Sequence, residues 1–485
     1  MKILIFFIFI CLSSCAVGPN YQEPAPPKTA AYTAPGALAE STVSAPLPGG
    51  DAQRFVNGLD IPGQWWALFQ SPELNVLIER GIAHSPTLEA AQAALRQANE
   101  TVAAQRGSFY PSVTGEYQAE RQKASNAAFG VPGSSVLYTL NSASVNVSYT
   151  LDAFGGVRRQ VEAQQAQADY QRYALEASYL SLTANIVTAA VSEASLRAQI
   201  AATEDIARAQ QAEVDITQRR VTAGGAARAD VLQLNATLQS TLATLPALRS
   251  QLAQQRNQLA TYVGTLPADY AGADLKLESF SLPIDLPVTL PSRLVEQRPD
   301  VRQYSALLHE ATAQIGVATA NMLPQLTLSG SIGDTSTRFA NLFSPASRVW
   351  SVIAGVSQPL FKGGQLVHQR RAAVAAAQEA AANYQSTVLS AFQNVSNALY
   401  AVQADADVLA AQSLAEQSAA ESLKLVDVQF KSGSASYLQV LTAEQTYQTA
   451  AVALVKARAQ RFADTAALFQ ALGGGWWNRT DIAAN

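Results

Sequence analysis

The chain has 485 residues, of which only 14% are charged and 48% are hydrophobic, against about 25% charged in an ordinary soluble protein. A net charge of −4 leaves no basic footprint for nucleic acid, and three histidines with two cysteines leave little from which to build a metal cluster. No GxSxG, P-loop or HExxH sequence occurs, so no enzyme chemistry and no cofactor is expected, and the isolated His84, His309 and His368 read as solvated or packed side chains.

Both cysteines, Cys11 and Cys15, fall in the first fifteen residues. Lys2 is a minimal positive start, Ile3 to Leu12 is an apolar run too short to span a membrane, and Ser13-Ser14 precede Cys15. Residues 1–14 therefore read as a signal peptide ending at a bacterial lipobox. On that reading Cys15 is lipidated, and its covalent lipid is the only group the chain is expected to carry. Ordinary signal cleavage near the same place is the other reading. Acyl chains on Cys15 would anchor the protein to a membrane, and Ala16 in place of the Asp that retains lipoproteins at the inner membrane favours the outer one. Residues 15–63 then form an extended tether, kept without regular structure by Pro19, Pro24, Pro26, Pro27, Pro35, Pro46, Pro48 and Pro62.

The body is duplicated. SPTL at 85–88 matches RPDV at 298–301, Tyr110-Pro111 matches Leu323-Pro324, Gly155-Gly156 matches Gly363-Gly364, and VTAGGAARADVL matches FKSGSASYLQVL. Two halves, 64–280 and 281–475, thus share one order of elements, with a tail at 476–485. Each half predicts a helical segment (71–107 and 291–322), two strands, a Gly-Gly turn, a proline-free helix (157–221 and 366–430) and a return helix (230–263 and 438–472). Leu175, Tyr179, Leu182, Ile186 and Ala189 recur at helical spacing. A 65-residue helix is ~100 Å long. The return helix covers about half of that, and the leading segment stacked on its end supplies the rest, so each half predicts two rods side by side.

The strands alternate. Val113, Tyr117, Val145, Val147, Tyr149, Leu326 and Leu328 are separated by Thr114, Glu116, Asn146, Ser148 and Thr327. The fourth strand, which carries Trp350, alternates less cleanly. Apolar-out, polar-in segments of about ten residues suit a transmembrane barrel, with 122–135 and 333–347 as outer loops. Two soluble hairpins on a core are the alternative. Four strands cannot close a barrel, whereas two copies give 8 and three give 12 (the smallest barrels have ~8).

CAVGPNYQEP, QWWALFQSPELNVLIERGI, RPDVRQYSALLHEATAQIGVATANMLPQLTLSGSIG and QPLFKGGQLVHQ together resemble the outer-membrane efflux factor family. The likeness is to its TolC-like channels of the lipoprotein branch, which serve resistance-nodulation-division pumps. The resemblance implies an α+β, mostly α fold: a homotrimer with a 12-stranded outer-membrane barrel of four strands per chain, continued by a periplasmic α-helical coiled-coil barrel. It also implies a bacterial outer-membrane location, a periplasmic adaptor and an inner-membrane transporter as partners, and a passive exit duct for small molecules such as drugs. The exit channel of a type I protein secretion system shares this fold, and a poreless periplasmic scaffold is the rival of another class.

In the family the gate lies at the periplasmic turns, here RRVTAGGAARADVLQ and QFKSGSASYLQVLTAEQ. Gly224 and Gly433 match the turn glycines, and Asp230 matches an aspartate of a charged latch. Gln429 and Ala435 stand where relatives carry arginine, which leaves Lys431 as the only cation expected nearby. Phe430 takes the place of an aromatic, followed across the turn by Tyr437. Leu438 matches the apolar ring that narrows the pore, and Thr442 stands where relatives carry a pore-lining aspartate. Ordinary helix packing is the alternative for Leu438 and Thr442, and a favourable helix N-terminal charge is the alternative for Asp230. Trp65-Trp66 and Trp476-Trp477 are expected to pack around the middle of the helices or at a surface.

Overall fold

In the computed structural model, which describes residues 16–29, 31–125, 130 and 133–479, both halves run through the same elements. After β1 (Arg54–Asn57), the first half contains α1 (Pro72–His84), α2 (Pro86–Arg106), β2 (Ser112–Ser125), β3 (Ser135–Leu151), α3 (Gly156–Thr222) and α4 (Arg228–Tyr262). After β4 (Asp285–Val288), the second half contains α5 (Pro291–Gln297), α6 (Pro299–Ala320), β5 (Gln325–Ser336), β6 (Arg348–Ser357), α7 (Gln365–Lys431) and α8 (Tyr437–Ala471). Both long helices have 67 residues and both return helices have 35. Cys15 and the signal peptide lie outside the described residues.

Three expectations need correction. The leading helical segments are not continuous. Each is broken before a proline, at Ser85 and at Arg298, whose ψ values of 117° and 123° are extended. The proline ring clashes with a helical predecessor and removes a backbone donor. Pro246, by contrast, sits inside α4 without ending it. The outer loops are shorter than expected, because β2 reaches Ser125, β3 begins at Ser135 and β5 reaches Ser336. Ladder hydrogen bonds carry these strands on after the apolar alternation fades. The stretch 19–63 also contains β1, which pairs in parallel with β4 from Arg54↔Asp285 to Asn57↔Val288.

The chain folds into two compact units. The first comprises residues up to Pro24, Leu95–Gln171 and Tyr304–Tyr384. It holds one antiparallel sheet in the order β2-β3-β5-β6. The start of the described chain is seated in this unit. Val17 N–H donates to the Phe154 carbonyl at 3.0 Å. Arg159 donates to the Val17 carbonyl at 3.2 Å and to Asn20 Oδ1 at 2.6 Å. Tyr21 stacks on His309 at 4.4 Å, and His309 Nε2 lies 3.0 Å from Glu162 Oε1.

The second unit, Ala25–Ala94, Arg172–Gln303 and Gln385–Asn485, is built on helices around an aromatic core. Trp65, Phe69, Leu74, Ile78, Phe462 and Phe469 are fully buried, with Trp65 stacked on Phe469 at 5.4 Å. Arg461, also fully buried, donates to Thr42 Oγ1 at 3.2 Å and to the Gly49 and Asp51 carbonyls, which fixes the segment leading into β1. The tryptophan pairs have definite places. Trp66 lies against Tyr179, Trp476 donates to the Gln297 carbonyl, and Trp477 Nε1 donates to Asp60 Oδ1 at 3.0 Å.

Candidate functional site

Side chains alternate along a strand, so the register decides what each sheet face presents. Val113, Val147, Gly330 and Val352 stand in one row across all four strands, and Gly115, Val145, Ile332 and Trp350 stand in the next. Tyr149, Leu328 and Ala354 share that face, as do Leu151, Leu326 and Val356. All the strand residues singled out by the sequence, Tyr117 among them, therefore lie on one apolar face. The other face carries Thr114, Asn146, Ser331 and Ser351 in a row. It also carries Val349 and Ile353, which is why β6 alternates less cleanly.

From the Leu151 row to the Ala143 row the apolar face spans about 27 Å along β3, close to the height of a membrane-barrel belt of about 25 Å. The face is bare: Trp350 is 74% exposed and Val352 69%. The edge strands β2 and β6 each pair on one side only. An unpaired strand edge in hydrocarbon costs several kcal/mol per backbone group, so this sheet cannot sit in a membrane alone.

The two helix turns are built alike. Gly224 (φ 78°) and Gly433 (φ 81°) take the left-handed conformation that closes a helix. Gly225 N–H reaches the Arg220 carbonyl at 2.8 Å and Gly224 N–H the Val221 carbonyl at 3.0 Å. Ser434 N–H and Gly433 N–H repeat this to Gln429 (2.9 Å) and Phe430 (3.0 Å). The next helix then starts the same way. Asp230 Oδ2 accepts from Ala227 N–H at 3.1 Å, and Gln439 Oε1 accepts from Ser436 N–H at 2.7 Å. Asp230 thus satisfies a backbone donor at the N-terminus of α4, where the helix dipole also favours its charge.

Side chains link the first repeat to the second. The Arg220 guanidinium lies over the Phe430 ring at 5.2 Å, and the Phe430 and Tyr437 rings are 5.8 Å apart. Tyr437 packs on a cluster of Ala207, Val214, Leu234 and Leu238 from α3 and α4. Lys431 pairs with Asp427 at 2.6 Å and not with Asp230. Lys431 is also not the only cation near the turn, since Arg220 is there as well. Leu438 is 69% exposed, and Thr442 one turn along donates to its carbonyl at 2.9 Å.

Sequence reasoning missed a carboxyl pair beside these turns. Glu213 of α3 and Glu444 of α8 face each other. The Oε2 atoms of both are buried with no other hydrogen-bond partner among the described residues, and Tyr437 Oη and both amide atoms of Gln210 are likewise buried and unpartnered there. Burial, then the hydrogen bond and charge of Glu213, push Glu444 up to about 8. Burial raises Glu213 too, against the opposing hydrogen bond with Glu444, with Asp427 adding to the rise and Lys431 opposing it. Two carboxyl groups in contact away from water hold a proton between them, because both cannot ionise cheaply. Burial, then Glu213, Glu444 and Asp230, likewise push the Tyr437 phenol up.

The model of the outer membrane efflux protein family matches residues 77–265 and 290–474. The probable efflux pump outer membrane protein TtgC of Pseudomonas putida is 28% identical over 479 residues, covering 97% of this chain and 95% of its own. The solved outer-membrane channel OprN superposes with a TM-score of 0.83 at 27% identity, over 95% of this chain and all of its own. The outer membrane protein VceC of Vibrio cholerae gives a TM-score of 0.80 at 26% identity, over 86% of this chain and all of its own.

Proposed function

Because the chain belongs to the outer membrane efflux protein family, it is an outer-membrane efflux channel with a large periplasmic part, and we propose that it works as a passive, gated duct built from three copies. The observation that carries this reading is the four-stranded sheet with one apolar face and two unpaired edges. Cyclic pairing of β6 in one copy with β2 in the next removes both edges, and three copies give twelve strands. The polar face then lines the pore, and Val113, Tyr117, Val145, Val147, Tyr149, Leu326, Leu328 and Trp350 face lipid.

On this reading a periplasmic adaptor and an inner-membrane resistance-nodulation-division transporter supply cargo and energy, and the chain does no chemistry of its own. Cys15 carries the lipid anchor. The gate is the pair of helix turns. Leu438 and Thr442 are the constricting side chains, and Gly224, Gly433, Phe430, Lys431, Tyr437 and Asp230 shape the turns that hold them. A constriction in such a pore sets both conductance and charge preference. Thr442 brings no charge, so the entrance attracts cations weakly.

Single-channel conductance in planar bilayers tests this. The wild type is expected to conduct weakly, and Leu438→Ala with Thr442→Ala to conduct several-fold more. An unchanged conductance in the variant moves the constriction elsewhere. Failure to insert any pore rejects the barrel.

A further inference from the structure

The apolar face of the sheet ends in a change of chemistry. β2 pairs with β3 without a break from Ser112↔Ser148 to Ser125↔Ser135, so alternation holds along its whole length. Val113, Gly115, Tyr117 and Ala119 are followed on the same face by Arg121 and Lys123. On β6, Arg348 stands in the row of Tyr117, Ala143 and Asp334, again on that face. The two acids at this end of β2, Glu116 and Glu120, point to the opposite face. β2 therefore sorts charge by side, with its bases on the lipid face and these acids on the pore face, while Asp334 of β5 shares the lipid face with Arg348.

Height sorts it as well. Arg121 lies four residues beyond Tyr117, about 13 Å along the strand. Tyr117, which stacks edge-on with Phe339 at 6.3 Å, marks the aromatic rim of the belt. Long basic side chains just past that rim reach head-group level. Asp334 Oδ1, 3.9 Å from Arg348, offsets part of that charge. Arg121 and Lys123 make no ion pair among the described residues and stand exposed. β2 and β6 are the two edges, so closure by further copies brings an Arg348 edge beside an Arg121–Lys123 edge at every seam.

We propose that Arg121, Lys123 and Arg348 form a basic girdle that binds the phosphate groups of anionic lipid in the outer leaflet. The occupant is a phosphate-bearing lipid, because the bases sit directly above an apolar belt that seats acyl chains while they meet the head groups. Arg121 and Arg348 offer the two-pronged donor geometry that suits a phosphate, and Lys123 adds a compact charge. The inference rests on the barrel assembly proposed above.

The test is native mass spectrometry of the purified full-length protein with bisphosphorylated lipid A and with its dephosphorylated form. Wild type is expected to retain the phosphorylated lipid preferentially, with retention falling as salt rises. Arg121→Gln with Lys123→Gln is expected to lower that retention about tenfold, while Glu116→Gln with Glu120→Gln leaves it unchanged. Equal binding of the two lipids by wild type, or an equal loss in the pore-face variant, overturns the inference. The wild-type comparison decides the matter even if the basic variant fails to fold. Pore formation by the same preparation separates the two readings. Pores without phosphate preference sink the girdle alone, and no pores sink the assembly and the girdle together.

Discussion

Gly224 and Gly433 close their turns with the same left-handed φ and the same two backbone hydrogen bonds, yet the residues around them differ at almost every place. At the shared offset, Val221 faces Phe430 in the alignment of repeats, Arg228 faces Tyr437, Ala229 faces Leu438, and Gln233 faces Thr442. The backbone was kept because the motif needs only a glycine and main-chain donors. The side chains were free to divide the work. The first repeat supplies the cation Arg220 and the acids Glu213 and Asp230. The second supplies the rings Phe430 and Tyr437, the exposed Leu438, and Glu444. The links between the repeats at these turns join positions that the repeat offset does not relate, so the two turns pair as unequal halves.

The largest expected effect comes from the carboxyl pair, which has one member from each repeat. The groups facing it are Asp427 and Lys431 from α7, Tyr437 from α8 and, toward Tyr437, Asp230 from α4. The folded pair keeps a proton that an ordinary glutamate, at 4.5, has already released, and Glu444 keeps it up to about 8. Stability from the pair is therefore full below pH 4.5 and is lost as pH rises through about 8. Amide hydrogen exchange at the start of α8 should accelerate by up to about tenfold per pH unit across that window, beyond the intrinsic rise of exchange with pH. Glu444→Gln keeps a neutral group there and should flatten the excess. A variant that still shows it would mean that some other group titrates.

A smaller effect separates the two turns directly. Phe430→Ala removes the ring that lies between Arg220 and Tyr437. It should loosen the turn by about 2 kcal/mol, less than a fully buried ring because Phe430 is only half-buried. Val221→Ala at the matching place has no ring to lose and should cost about 1 kcal/mol or less. Equal costs would show that the asymmetry of the turns has no energetic consequence.

The features that were legible in the sequence were those set by local rules. The ends of α3 and α7 followed from glycine turns and the lack of proline, and the two faces of the sheet followed from a period of two. The breaks at Ser85 and Arg298 were also legible, since each precedes a proline, but the apolar pattern runs through them. Contacts between repeats were not legible. At the repeat offset, Glu213 matches Ser422 and Glu444 matches Asn235, so periodicity gives no reason to pair the two acids. Only the packing of α3 beside α8 brings them together. Arg461 is a similar case. Nothing in the Ala-rich helix sequence marks it for burial, and only the fold shows it buried against Thr42 and the Asp51 carbonyl.

The glycines should give equal effects where the rings do not. A Cβ at Gly224 or Gly433 would meet no atom within 4 Å, so substitution is opposed by the left-handed backbone alone. Gly224→Ala and Gly433→Ala should each cost about 1 kcal/mol, read as a loss of thermal stability of the turn. A much larger cost at Gly433 would reveal a contact made only when copies assemble.

The smallest expected effect is at Lys431, and it is informative because it is small. Its ion pair with Asp427 spans one helical turn, with the acid toward the N-terminus, which is the favourable order. Lys431 is also the last residue of α7, where the dipole favours a cation. Both effects are screened by water, since the lysine side chain is 71% exposed. Lys431→Met should therefore cost about 0.5 kcal/mol or less, and should leave single-channel conductance unchanged. The outcome bears on what holds the second turn, where Gln429 and Ala435 bring no charge. If conductance rises in Lys431→Met and the rise vanishes in 1 M salt, where charges are screened beyond about 3 Å, the lysine reaches an acid on a neighbouring copy. The two turns would then be joined by a charged latch between chains as well as by the ring stack within one.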